Sequence, residues 1–215
     1  MLSVSGSESA VEADLVAGRL ACPGCSGALS PWGYARAREV RMLHGTRLVR
    51  PRRGWCACCE ATHVISPAWC VPRHRDGAEV IGEALLQAAG GDGHRRIAAR
   101  LGRPAGTVRG WLRAARRRTE ALRSVGVRWA VALDLELGAI QPSGSALAEA
   151  VEALAVAARA WTLRFGPGRD GAWEHVVVMT GGALLSGQPR DPPGFRARTR
   201  RAADRAAGMP RMLSG

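Results

Sequence analysis

The sequence of 215 residues contains no lysine and no asparagine, so all 31 of its basic side chains are arginine, set against 18 acids for a formal net charge of +13. Aromatic residues are sparse at 5%, with one tyrosine and two phenylalanines. No apolar run reaches the ~18 residues a membrane-spanning helix needs. Arg128, Asp134, Glu136, Arg159 and Arg164 interrupt the most hydrophobic part of the chain, so a transmembrane helix and a membrane partner are not expected. The first residues also lack the basic start and apolar block of a secretory signal, and carry Glu8, Glu12 and Asp14 instead. A cytoplasmic location is expected. An apolar content of 47% is too high for a disordered chain and suits one large or two small domains.

The lack of lysine, together with the weight of Arg, Ala, Gly and Pro, fits G+C-rich codon usage, so the position of the charge matters more than its total. Between His94 and Arg118 lie nine arginines (95, 96, 100, 103, 109, 113, 116, 117 and 118) and no acid. Six more lie between Arg38 and Arg53, opposed only by Glu39. The stretch 126–190 is nearly neutral, with five arginines and six acids. A genomic bias alone would not leave that stretch neutral, so both clusters are expected to mark working surfaces for a polyanion.

Five segments are predicted: a polar, disordered leader over 1–18, a cysteine-bearing zinc ribbon over 19–72, a helical DNA-binding domain over 76–124, a helical packing or dimerisation module over 125–186, and a basic, flexible tail over 187–215. The fold class expected is mainly α with a small β zinc ribbon, the helix-turn-helix being homeodomain-like and followed by the helical C-terminal module.

In a reducing compartment cysteines are thiolate ligands more often than disulfides. Cys22-Pro-Gly-Cys25 and Cys56-Ala-Cys-Cys59 are separated by thirty residues, and two C-x-x-C knuckles brought together supply a tetrahedral four-thiolate shell. Cys22, Cys25, Cys56 and Cys59 are therefore the predicted ligands of a structural zinc ion. Val40 and Met42 alternate before a His44-Gly45 turn, followed by Leu48 and Val49, and this hairpin is expected to bring the knuckles together. Cys58 reads as a spectator or an alternative to Cys59. Cys70 reads as a small buried hydrophobe, and His44, His63 and His74 as turn or surface residues.

Apolar residues at Val80, Ile81, Ala84, Leu85 and Ala88 make a helical stripe over 76–89. Asp92 is a plausible cap for a short helix to Leu101, Gly102 breaks it, and Pro104 begins the next. Ala98 is the small residue that lets the two helices approach. Ile97, Leu101, Val108, Trp111 and Leu112 face inward. This spacing matches a helix-turn-helix, whose second helix enters the major groove of double-stranded DNA. Its outer face then offers Ala105, Gly106, Arg109, Gly110 and Arg113 to base edges, with either arginine able to grip guanine. Arg95, Arg96, Thr107, Arg116, Arg117 and Arg118 suit phosphate contacts. A helical hairpin with a merely solvated basic face is the plainer alternative. Seven phosphate contacts would give a slope of about −6 for log K against log salt.

A zinc ribbon followed by a helix-turn-helix resembles the N-terminal DNA-binding region of bacterial insertion-sequence transposases. Thr62-His63-Val64, the run Gly77 to Gly82, the run His94 to Pro104 and the run Thr107 to Arg113 are similar to an uncharacterised family of such proteins from high-G+C bacteria. The resemblance spans roughly 20–185 and is sharpest over 76–113. The family's two C-x-x-C pairs fall on Cys22, Cys25, Cys56 and Cys59; the sequence departs from its pattern at Gly106, where serine is usual, and at Cys58 and Cys70. DNA binding is what the resemblance implies.

Helical spacing continues from Val125 to Ile140, and Gln141 to Gly144 reads as a turn. Leu147, Val151, Leu154, Ala158, Trp161 and Phe165 then form a near-heptad stripe for core packing or for pairing with a second copy. Trp173 to Leu185 fits strand and helix alike. Val127 to Asp134 resembles the first strand and metal-binding aspartate of an RNase H-like transposase domain. The later acids form no convincing second and third ligand, so a non-enzymatic chain is expected. The function expected is an accessory or targeting factor of a mobile genetic element, acting with a separate recombinase. A transcriptional regulator is the alternative, and a transposase with a reduced catalytic domain ranks below both.

Overall fold

The structure, a computed structural model, describes residues 1–133, 144–166, 170–187 and 189. The described residues form a mixed α/β fold of seven helices and six strands. Asp134, Glu136, the turn at 141–143 and nearly all of the tail from 187 lie outside them.

The predicted leader is ordered. Strand β1 (Leu2–Val4) runs parallel to β6 (Ala61–Pro67), with Leu2 opposite Ile65. Helix α1 (Glu8–Val16) follows, capped by the Ser7 side chain, which accepts from the Ala10 amide. Its Leu15 is fully buried against Leu29, Cys56 and Ile65. The helix is mostly polar because only Val11 and Leu15 have to reach that small core, and so few apolar positions leave no period to read.

Strands β2 (Leu29–Tyr34), β5 (Arg52–Cys56) and β6 join β1 in a sheet of order β1-β6-β5-β2. Side chains alternate across a strand, so Leu29, Cys56 and Ile65 face α1, whereas Ser30, Trp55 and Thr62 face the other way. Strands β3 (Arg38–Arg41) and β4 (Thr46–Val49) form the expected hairpin around Gly45, whose φ of +82° suits glycine. This hairpin does not bring the cysteine pairs together. Pairing of Leu29 with Cys56 between β2 and β5 does that, while the hairpin turns toward the helices and buries Val40 and Val49 with Trp69 and Cys70.

The helical part comprises α2 (Ala78–Ala89), α3 (His94–Leu101), α4 (Ala105–Arg116), α5 (Thr119–Leu133), α6 (Ala146–Phe165) and α7 (Ala172–Met179). The predicted break between 124 and 125 falls inside α5. Leu122 and Val125 are both buried in one core that runs from Ile81 and Leu85 through Trp111 and Leu154 to Leu184, so the two predicted helical modules share their interior. Gly126 lets α5 and α6 touch, since a Cβ there would lie 2.6 Å from the Ala153 carbonyl carbon. The α6 stripe Leu147, Val151, Leu154 and Ala158 is spent on this core, whereas Phe165 is exposed. Trp173 to Met179 is helix, with Trp173 lying over Gly82.

Asp76 joins the two parts. Its carboxylate is almost fully buried and receives Arg41 at 2.6 Å from β3 and Arg103 at 2.7 Å from the α3–α4 turn. Arg103 also donates to the Met42 carbonyl at 2.8 Å, fixing that turn against the β3–β4 hairpin.

Candidate metal centre and basic helix face

Both cysteine pairs adopt the same local shape. In each, the residue after the second cysteine has a left-handed backbone, Ser26 at φ +63° and Glu60 at φ +53°. The chain then doubles back so that Cys22 donates its amide to Gly27 at 2.6 Å and Cys56 pairs with Ala61. Gly27 is needed for this approach, because a Cβ there would lie 3.1 Å from that of Cys58 and 3.4 Å from the sulfurs of Cys25 and Cys56.

The β2–β5 pairing then superposes the knuckles. The sulfurs of Cys22, Cys25, Cys56 and Cys59 all lie within 4.8 Å of one another, with Cys22 and Cys59 at 3.6 Å and Cys25 and Cys56 at 3.4 Å. A tetrahedral site with metal–sulfur bonds of about 2.3 Å has sulfur–sulfur edges of ~3.8 Å, so the cluster has the size to hold a metal ion. Burial resists ionisation of Cys22, but the amides of Gly24 and Cys25 and the thiols of Cys59 and Cys56 outweigh it and lower its pKa to about 6. Cys59 is pushed up to about 12, first by the Cys22 sulfur and then by burial. Sulfurs this close cannot all ionise alone, and a divalent cation would remove the conflict.

Cys58 is exposed outside the cluster and Cys70 is buried in the hairpin core. His63 is neither turn nor free surface. Its Nε2 lies 3.3 Å from the Cys22 sulfur, a position from which a ring N–H can donate to a ligating thiolate. Its place on the inner face of β6, opposite Gly54, could have been read only from the strand register.

On the helical part, α3 and α4 are joined by a turn with Gly102 at φ +61°. Gly93 caps α3, and Asp92 instead pairs with Arg96 at 3.0 Å and with Arg100. Ile97, Ala98, Val108, Trp111 and Leu112 are buried, and Leu101 is half-buried. Of the predicted contact residues, Arg95, Arg96, Ala105, Gly106, Arg109, Arg113, Arg116 and Arg117 are exposed, while Thr107 and Gly110 are half-buried. Arg109, Arg113, Arg116, Arg117, His94 and Leu112 line a shallow depression of about 340 Å³.

Not every arginine of the run faces outward. Arg103 is held by Asp76, and Arg118 is half-buried and donates to the Ala183 carbonyl at 3.0 Å. Arg95, Arg109, Arg113, Arg116 and Arg117 make no ion pair among the described residues.

Most arginines of the first cluster are held by partners within the fold, although Arg47, Arg50 and Arg53 are exposed. Arg38 donates to the His74 carbonyl at 2.6 Å, Arg41 binds Asp76, and Arg47 lies 4.2 Å over Trp69. Arg50 lies over Tyr34, and Arg52 grips both oxygens of Glu12 at 2.7 Å. Only Arg53 is left without such a partner among the described residues.

One feature carried no sequence signal at all, a cleft of about 1050 Å³ between α1, β4 and the start of α7. Glu174 on its wall is pushed up to about 7, by burial first and then by Asp170.

Comparison with protein-family models, with curated proteins and with solved structures gives no match. Fold and site together define a mixed α/β chain whose four-cysteine cluster could hold a metal ion and in which no described helix is long and apolar enough to cross a membrane.

Proposed function

We propose that the chain is a non-enzymatic, sequence-specific binder of double-stranded DNA, with α3 and α4 as a helix-turn-helix and a structural zinc ion on Cys22, Cys25, Cys56 and Cys59. The observation that carries this reading is the outer face of α4. A Cβ at Gly106 or Gly110 would meet nothing within 4 Å, so packing does not require either glycine. Gly110, in the interior of α4, costs the helix roughly 0.5–1 kcal/mol relative to alanine. Small residues flanked by the unpaired Arg109 and Arg113 are what a helix needs to lie close against base edges. Gly82 and Gly126, by contrast, are fully accounted for by packing.

Four thiolates leave a zinc ion no open position, so its part would be to fold the ribbon. The β3–β4 hairpin, held through Asp76, would steady the α3–α4 turn. The resemblance to transposase DNA-binding regions supports the setting, an accessory or targeting factor of a mobile element working beside a separate recombinase.

In-vitro selection from a random duplex pool, with and without a zinc chelator, tests the reading. Enrichment of one motif is expected, and no enrichment in either arm would refute specific binding. On the selected site Arg109→Ala should relax one base pair and cost about 1–3 kcal/mol, whereas Arg117→Ala should weaken all sequences alike. With Arg95, Arg116 and Arg117 on phosphates, log K should fall against log salt with a slope of about −3.

A further inference from the structure

The outer face of the β2–β5–β6 sheet, opposite α1, is open. Trp32 is 57% exposed, and Ser30, Arg53 and Thr62 are exposed beside it. Trp32 packs on Trp55 with ring centroids 5.3 Å apart and planes tilted by 31°. Strand alternation sets Arg53 on the same face as Trp55, two positions along β5. Strands β2, β5 and β6 contain no acid; Glu60 stands in the knuckle turn between β5 and β6, and Glu12 meets Arg52 from α1, on the opposite face.

The fold gives no reason for this arrangement. The four-cysteine cluster and the α1 core lie on the other face, so Trp32 completes neither. A chain with few aromatics nevertheless keeps Trp32 exposed on the half-buried Trp55, next to the one arginine of its cluster that no partner holds among the described residues. Aromatic rings with a neighbouring cation, on strands that carry no acid, suit unpaired nucleobases: the rings stack on the base and the guanidinium meets the phosphate.

We propose that this face is a stacking site for single-stranded DNA, distinct from the α4 face. The choice of DNA over RNA rests on the duplex-binding reading above, and the stacking itself does not. The metal would hold the platform in shape from behind.

The test is fluorescence anisotropy of the zinc-loaded full chain with a labelled oligo(dT) of roughly 12 nucleotides at low salt. Trp32→Ala should weaken binding about 5-fold or more, and Trp32→Phe should restore most of it. Arg109→Ala should leave oligo(dT) binding unchanged, and Trp32→Ala should leave binding to the selected duplex unchanged. Oligo(dT) affinity equal to wild type in Trp32→Ala overturns the proposal, and tighter binding of oligo(rU) overturns the assignment to DNA. Should Trp32→Ala lower the unfolding midpoint, Arg53→Ala carries the test, and unchanged affinity there overturns the proposal equally. If duplex selection fails while Trp32→Ala still weakens oligo(dT), the duplex reading falls and this one stands.

Discussion

The two arginine clusters have nearly the same composition and opposite uses. Between Arg38 and Arg52 the guanidiniums are taken up by Asp76, Glu12, the His74 carbonyl and the faces of Trp69 and Tyr34, and only that of Arg53 is left over. On α4, Arg109, Arg113, Arg116 and Arg117 have no such partners among the described residues and stand around a depression. The difference lies in what each element packs against. The strands of the first cluster have few apolar residues and use arginine as packing material, its stem lying on aromatic faces and its head on carboxylates. The helix of the second cluster already buries Val108, Trp111, Leu112 and Ala115 on its inner side, so its cations are free to face out. Charge density alone therefore does not tell which cations are free; the presence or absence of a partner within the fold does.

Metal removal should divide the molecule along the same line, with the largest effect. Structural zinc in small domains supplies about 10–16 kcal/mol of apparent folding free energy, and the small core around Leu15, Leu29 and Ile65 cannot replace it. Hydrogen exchange after chelation should show the amides of β2, β5 and β6 unprotected, while those of α2, α5 and α6 stay protected by the Ile81–Leu154 core. Helices that lose protection together with the strands would show that the two regions fold as one unit, and that the inward arginines couple them more tightly than their number suggests.

Next in size is Asp76→Ala. Removing one partner of a buried ion pair leaves uncompensated charge and costs about 3–5 kcal/mol. Here Arg103 is only 14% exposed and would lose its carboxylate, with Arg41 losing its own on the other side. Denaturant unfolding should register that loss, whereas Arg109→Ala and Arg113→Ala should stay within about 0.5 kcal/mol of wild type. Equal stability in all three variants would erase the distinction between inward and outward clusters.

Much of this division was legible in the residues. Val108, Trp111 and Leu112 announced the inner face of α4 by their period, and the paired C-x-x-C spacing announced the cysteine cluster. Asp92 lies just before the acid-free run and Asp76 a whole helix earlier, yet both reach into it, to Arg96 and Arg100 and to Arg103, so counting acids inside the window missed both. Helix α1 was hidden because a helix that buries Leu15 and little else has no stripe. The exposure of Trp32 depended on a register, Ser30 opposite Trp55, that pairs strands separated by the whole β3–β4 hairpin. Spacing within an element could be read from the chain; partners contributed by another element could not.

The smallest effect belongs to Arg52 and Glu12, and it is where pH separates the clusters. The guanidinium, bonded to both carboxylate oxygens, holds Glu12 below the usual carboxylate range, with burial opposing it only in part. A carboxyl whose folded value is depressed adds stability that is present above its unfolded value and is lost as the pH falls through the folded one. Glu12→Gln should therefore cost no more than about 1 kcal/mol at neutral pH, as partly exposed pairs do, and the deficit relative to wild type should shrink as the solution is acidified below the ordinary range of a glutamate. Arg113→Ala, with no carboxylate to lose, should show a difference from wild type that does not change over the same range. Thermal unfolding of the two variants against wild type across that range decides the matter, because protonation of the cysteine ligands affects all three proteins alike and cancels in the differences. A flat profile for Glu12→Gln would mean that Arg52 stays in place through its stem and the Tyr34 ring rather than through the carboxylate.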